Sequence, residues 1–171
     1  MNDSKQIIRF LAVAFALYIA WYLCYDLWLF PDARLDNWLS EKEAWLSGAG
    51  LSLLGYQASS NAYSVSINGF PMVLVGNPCN GMVLFALFSG FILAYPGPWK
   101  IKLVYIPAGI FLIYLLNVLR IMALALNSFY SRHTLDFNHK YTFAFVVYAC
   151  IFAFWMLWIK RYAQPTPAPA S

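Results

Sequence analysis

A chain of 171 residues that is 62% hydrophobic and only 11% charged is built for lipid, since a soluble domain is about a quarter charged. A bilayer span takes roughly 20 apolar residues, which allows about four spans and one sizeable loop. The net charge of +4 comes from scattered Lys and Arg that form no basic face, so nucleic acid is not expected as a partner.

Residues 7–30, Ile7 to Phe30, form the first apolar run, behind Lys5 and Arg9. It is longer than a signal-peptide core and has no small-x-small cleavage site, so it reads as a retained span. Trp21, Tyr22, Tyr25 and Trp28 mark its far end as an interfacial aromatic belt. Cys24 follows Tyr22 and Leu23 rather than small residues, which argues for packing and against a lipoprotein site. Asp26 is placed either to pair with Arg120 or Arg132 or simply to reach the interface.

The loop 31–78 is the one long connection. In Leu35 to Leu54 the positions Leu35, Trp38, Leu39, Trp45, Leu46 and Leu53 fall loosely on one helical face, which predicts a helix along the membrane surface. Tyr63 to Ile67, then Asn68-Gly69, then Phe70 to Val75, reads as a β-hairpin with a type I′ turn. Pro71 confines the second strand to an edge.

The second span, 79–95, is short. Ala86, Gly90 and Ala94 lie at a small-x-x-x-small spacing that lets another helix approach closely. The third span, 101–126, follows Pro96-Gly97-Pro98 and contains Asn117 and Arg120. The fourth runs over 139–159 and is closed by Lys160 and Arg161. The tail 164–171, rich in Pro and Ala, is expected to be disordered. The expected fold is thus a single all-α integral membrane domain, residues 1–163, with about four transmembrane helices, an interfacial helix and a β-hairpin.

Orientation follows from the basic residues. Lys5, Arg9, Lys100, Lys102, Lys160 and Arg161 fall on one side, opposed there only by Asp3, and the positive-inside rule makes that side the cytoplasm. Both termini are then inside, and the loop, Cys79 and His139 are outside.

Three residues from distant segments reach one depth. Asn77-Pro78-Cys79-Asn80-Gly81 opens the second span and His139 opens the fourth. Arg120 lies about 28 Å along its helix from Ile101, near the same outer level, with Asn117 one turn below on the same face. A cysteine attacks as thiolate, and a helix N-terminus or a nearby cation lowers its pKa. Asn77 is suited to cap that helix, with Pro78 at its first position. His139 is suited to take the thiol proton and return it to a leaving amine, and Arg120 to stabilise a thiolate or an oxyanion. Ordinary readings stand beside these: Cys79 as a small interfacial residue, Arg120 snorkelling to headgroups, His139 as an interfacial side chain with His133 as its rival. Cys150 lies about 16 Å along the helix from His139, deep in lipid where a thiol is inert. The cysteines at 24, 79 and 150 show no metal-type or disulfide spacing, and nothing calls for a metal or cofactor.

Cys79-Asn80-Gly81, Asn117-Val118-Leu119-Arg120-Ile121 and Asn138-His139 together resemble the motifs of the exosortase/archaeosortase family, in order and topology, over Gly76 to Trp158. The resemblance implies a membrane cysteine transpeptidase. It implies Cys79 as nucleophile, with Arg120 and His139 completing the catalytic set and Asn77, Asn80 and Asn117 supporting it. Its substrates would be exported proteins carrying a C-terminal sorting signal, cut outside the cell membrane, with the new C-terminus passed to an acceptor. The chain has fewer spans than the larger members of that family, which raises the need for a second copy or a partner membrane protein. A rival reading from another class is a non-catalytic scaffold or transport subunit in surface polysaccharide export.

Overall fold

Apolar sequence in lipid folds as helix because each backbone N–H and C=O must find its partner within the segment. Five longer helices dominate the computed structural model, which describes residues 3–162. The stretch 164–171, expected to be disordered, lies outside the described residues.

Helix α1 (Asp3–Trp21) runs on through a π-helical stretch, Tyr22–Leu29, and a last turn, Phe30–Asp32. Ala33, at φ 55°, breaks it. Helix α2 (Arg34–Leu53) follows, then strands β1 (Ala58–Asn61), β2 (Ser64–Ile67) and β3 (Phe70–Leu74). Helices α3 (Met82–Ala94), α4 (Trp99–Tyr130) and α5 (Phe143–Tyr162) complete the chain, with three short helical turns between α4 and α5.

Three stretches are long and apolar enough to cross a membrane: Ile7–Asp32, Trp99–Tyr130 and Arg132–Tyr162. Helix α3 is apolar but shorter than the 79–95 expected for it. Its 13 residues reach about 20 Å against a hydrocarbon core of ~30 Å. Gly81, at φ 73°, begins it, and the Pro-Gly-Pro turn ends it. Lys102 then acts as its C-terminal cap: the ammonium donates to the carbonyls of Leu93 (2.9 Å) and Tyr95 (2.6 Å), groups the helix leaves unpaired.

Helices α3, α4 and α5 share one buried cluster, Phe88, Ile92, Ile113, Val147, Ile151 and Trp158. The close approach of helices occurs at Gly109 of α4, where a Cβ would overlap the Phe88 ring. It does not occur at the Ala86–Gly90 face, where a Cβ on Gly90 would meet nothing. That face borders an open groove of about 720 Å³ between α1 and α3. Phe10 packs edge-on against Tyr95 at 5.7 Å, and the Trp158 indole donates to the Pro96 carbonyl at 3.3 Å. These contacts gather the start of α1, the α3–α4 turn and the end of α5, with their basic residues, at one end of the bundle.

The opposite end carries α2 and the sheet. The expected hairpin is present, with Asn68 at φ 54° and Gly69 at φ 79° in its turn. Strand β3, with Pro71, is an edge as expected, and a register irregularity falls at Val65/Ser66. A further strand, β1, pairs with the other side of β2. The sheet buries Val65 and Ile67 with Ala44 and Leu51 of α2 and Ile121 and Ala125 of α4.

Helix α2 turns the expected way round only in part. Trp38 and Trp45 stay 56% and 61% exposed, consistent with a lipid-facing side. The inner face carries a polar stripe beside its apolar residues Leu39, Ala44 and Leu51: Asp36, Ser40, Glu43 and Ser47 are all buried. Their spacing of i, i+4, i+7 and i+11 puts them on one stripe of a helix. An inner face of this mixed kind suits a helix that meets both an apolar core and polar partners.

Candidate active site

The segment before α3 sets the position of the thiol. Gly76 enters extended, and Asn77–Cys79 form one 3₁₀ turn in which the Cys79 N–H donates to the Gly76 carbonyl at 2.8 Å. Gly81 then takes the left-handed conformation that a side chain disfavours and leads into α3. Cys79 therefore sits in the turn ahead of the helix rather than in its first turn. Asn77 does not cap α3. The side-chain oxygen of Asn80 accepts from the Met82 N–H at 3.2 Å instead, because Asn80 is close enough to reach the first free amide.

His139 lies in a π-helical turn, Asn138–Thr142, that opens the last helical stretch. Its Nε2 is 3.1 Å from Cys79 Sγ. With Nε2 unprotonated, the thiol donates to it, which is the starting arrangement for thiolate formation. Asn138, beside it, donates to Asn127 Oδ1 at 3.1 Å and accepts from the Thr142 hydroxyl at 2.9 Å, fastening this turn to the end of α4. His133 is exposed in the turn Arg132–Thr134, so of the two imidazoles it is His139 that meets the thiol.

Arg120 is half-buried on α4, one turn beyond Asn117. Its charge acts on both Glu43 and His139, which puts it in the same cluster. Its Nε is buried without a hydrogen-bond partner among the described residues. A buried donor left unpaired in this way carries a desolvation cost that an anionic group would relieve.

Asn117 is fully buried and acts as a clamp. Its amide nitrogen donates to the Cys79 carbonyl at 2.7 Å and to the two Glu43 carboxyl oxygens at 2.9 and 3.0 Å. A parallel arrangement holds the next residue. Asn80 Nδ2 donates to Asp36 Oδ1 at 2.6 Å, and the Tyr25 hydroxyl donates to the same oxygen at 2.8 Å. Burial pushes the Glu43 carboxyl up to about 8, against the opposing pull of the Asn117 hydrogen bond and the Arg120 charge.

Glu43, Asp36 and Tyr25 were not among the residues expected at the site. The signal for the two acids is the polar stripe Asp36, Ser40, Glu43 and Ser47, which lies away from the outward-facing Trp38 and Trp45. Asp26, the acid expected as a possible partner for Arg120 or Arg132, is exposed, and the one ion pair among the described residues is Asp32–Arg34 at 3.3 Å. Within the π-helical stretch Tyr25 is buried and Asp26, the next residue, is exposed, which fits the interface alternative of its two expected placements. Cys24 is exposed and Cys150 half-buried, both as free thiols.

The structure is helical, with three stretches long and apolar enough to cross a membrane, and it seats a cysteine against a histidine at one end of its bundle. The family model described as Transmembrane exosortase (Exosortase_EpsH) matches residues 4–156. The chain therefore belongs to the transmembrane exosortase family, and membership supports an exosortase-type catalytic activity in protein sorting at a membrane. No curated protein and no solved structure matches it.

Proposed function

We propose that this chain is a membrane cysteine transpeptidase whose nucleophile is Cys79, with His139 as general base and then acid, and Arg120 as the partner of the developing oxyanion. The observation that carries this reading is the 3.1 Å contact between Cys79 Sγ and His139 Nε2. In the first step the thiol proton passes to Nε2 and Sγ attacks the scissile carbonyl carbon. The carbonyl oxygen takes the negative charge, for which the unpaired Arg120 donor is suited. Collapse breaks the C–N bond, the imidazolium proton goes to the leaving amine, and a thioester on Cys79 remains. A nucleophile on the acceptor then attacks the thioester, gives its proton to His139, and frees the thiol.

The proposed substrates are exported proteins that end in a short motif, an apolar helix and a basic cluster. In this reading about four segments cross the cell membrane, both termini are cytoplasmic and the site faces outward. The basic end of the bundle, with Lys5, Arg9, Lys100, Lys102, Lys160 and Arg161, supports that orientation. The half-buried Cys79, in contact with an imidazole rather than with lipid alone, favours the enzyme over a polysaccharide-export scaffold.

The test is processing of a co-expressed protein that carries a C-terminal sorting helix. Replacing Cys79 with Ala or Ser abolishes cleavage in this reading. Cleavage at the wild-type rate in Cys79→Ala would remove Cys79 as nucleophile and restore the scaffold reading.

A further inference from the structure

We propose that helix α2 is the second half of the site: Glu43, through Asn117, and Asp36, through Asn80, are positioning residues that hold the Cys79 turn in register with His139. The proposal rests on the transpeptidase reading above and assigns a role to acids that the cysteine, arginine and histidine motifs leave out.

The 3₁₀ turn at Asn77–Cys79 is short, and left-handed Gly81 separates it from α3, so no continuous helical ladder fixes the thiol. What fixes it comes from outside the segment. Each of the two residues Cys79 and Asn80 is held by an amide–carboxyl couple, and both carboxyls come from one helix. For Cys79 the couple runs from Glu43 to Asn117 to the Cys79 carbonyl, with every hydrogen bond between 2.7 and 3.0 Å. For Asn80 it runs directly to Asp36, at 2.6 Å, and Asp36 is held in turn by the Tyr25 hydroxyl.

Glu43, Asp36, Asn80 and Asn117 are all 0% exposed. Buried polar groups of this kind are costly unless they are paired; Asp36 Oδ2 and Asn117 Oδ1 have no partner among the described residues, and the pairs that form converge on one turn. A general stability role would be met as well by apolar side chains of the same volume. These particular acceptors are matched to the two side-chain amides that grip the nucleophile's own turn. Displacing a nucleophile by about 1 Å can cost a hundredfold in rate, so a clamp on its carbonyl acts directly on turnover without touching substrate.

The two halves of the device are separable. A neutral carboxyl still offers Asn117 a carbonyl oxygen, and glutamine offers the same oxygen. Glu43→Gln is therefore the conservative variant, and Glu43→Leu keeps the volume while removing every acceptor.

The experiment uses the full chain in lipid nanodiscs. Iodoacetamide alkylation is followed against pH at the Cys79 peptide by mass spectrometry, alongside processing of the co-expressed sorting-helix protein. Positioning expects Glu43→Leu to reduce kcat about a hundredfold with KM little changed. It also expects the alkylation pH profile of the folded fraction to move towards that of His139→Ala, while Glu43→Gln restores both. Because Glu43 and Asn117 form one relay, Glu43→Leu with Asn117→Ala should be no slower than the worse single variant.

The proposal is overturned if folded Glu43→Leu keeps the wild-type alkylation profile, or if the two losses multiply in the double variant. Should Glu43→Leu fail to fold, Glu43→Gln and Asn117→Ala carry the same comparison, and a wild-type profile in Asn117→Ala overturns it. Alkylation needs no turnover. Processing that persists in Cys79→Ala therefore sinks the enzyme reading alone, and an unchanged alkylation profile sinks the positioning claim alone.

Discussion

Cys79 Sγ and His139 Nε2 stand 3.1 Å apart although 60 residues of sequence separate them. The two sit on different helical connections, one ahead of α3 and one ahead of the last helical stretch, and α4 spans the interval between them. Their contact depends on α4 returning the chain to the end of the bundle from which α3 departs.

If that contact supplies the base, the two histidines separate cleanly. His139→Ala is expected to reduce processing of a sorting-helix substrate by about 10²- to 10⁴-fold, the usual range for removing a general base. His133→Ala, at an exposed position, is expected to process at the wild-type rate. Equal losses in the two variants would detach the imidazole role from His139.

The buried Glu43 gives stability a definite dependence on pH. Its carboxyl is raised from an ordinary 4.5 to about 8 by burial. The folded state therefore holds this proton more tightly than the unfolded state does. The resulting stabilisation is complete below the ordinary value and is lost as pH rises through about 8. In detergent, the Tm of the wild type is expected to fall more steeply between about pH 5 and about pH 9 than that of Glu43→Gln. Parallel slopes would mean that the carboxyl is charged in the folded protein.

Packing at the membrane level has its own test. Gly109 faces the ring of the fully buried Phe88, which is itself packed against Tyr105 and Phe154. Gly109→Ala is expected to destabilise the bundle by about 1–3 kcal/mol through overpacking, read as a lower midpoint in denaturant titration. The same change at Gly90, where a Cβ meets open space, is expected to leave the midpoint in place.

Much of this was legible from residues alone, and the misses share a cause. Asn68-Gly69 announced the hairpin because its left-handed turn is a local property of two residues. Arg120 and His139 were placed by helical rise, which needs only a count along the chain. On α2 the apolar side was legible from periodicity, and Trp38 and Trp45 do face outward. The inward bonds of Asp36 and Glu43 were not, because Asn80 and Asn117 lie 44 and 74 residues further along the chain. Tyr25 was missed because its partner, Asp36, belongs to the next long helix, so nothing local sets it apart from the other aromatic residues at the end of the first span. Strand β1, Ala-Ser-Ser-Asn, has little strand preference of its own. It is recruited by the open edge of β2.

The inward-facing acids of α2 also set an order of events during synthesis. Glu43 leaves the ribosome 74 residues before Asn117, the amide that receives it, and Asp36 leaves 44 residues before Asn80. Until the turn before α3 and then α4 are made, Tyr25 is the only one of these hydrogen-bond partners present for the polar stripe of α2. His139 arrives later still. The nascent chain therefore carries Cys79 for some time without its contact to His139, which forms only when the last helical stretch is in place. Assembly of the bundle acts as its own timer, keeping Cys79 apart from His139 until the last helical stretch folds back onto α4.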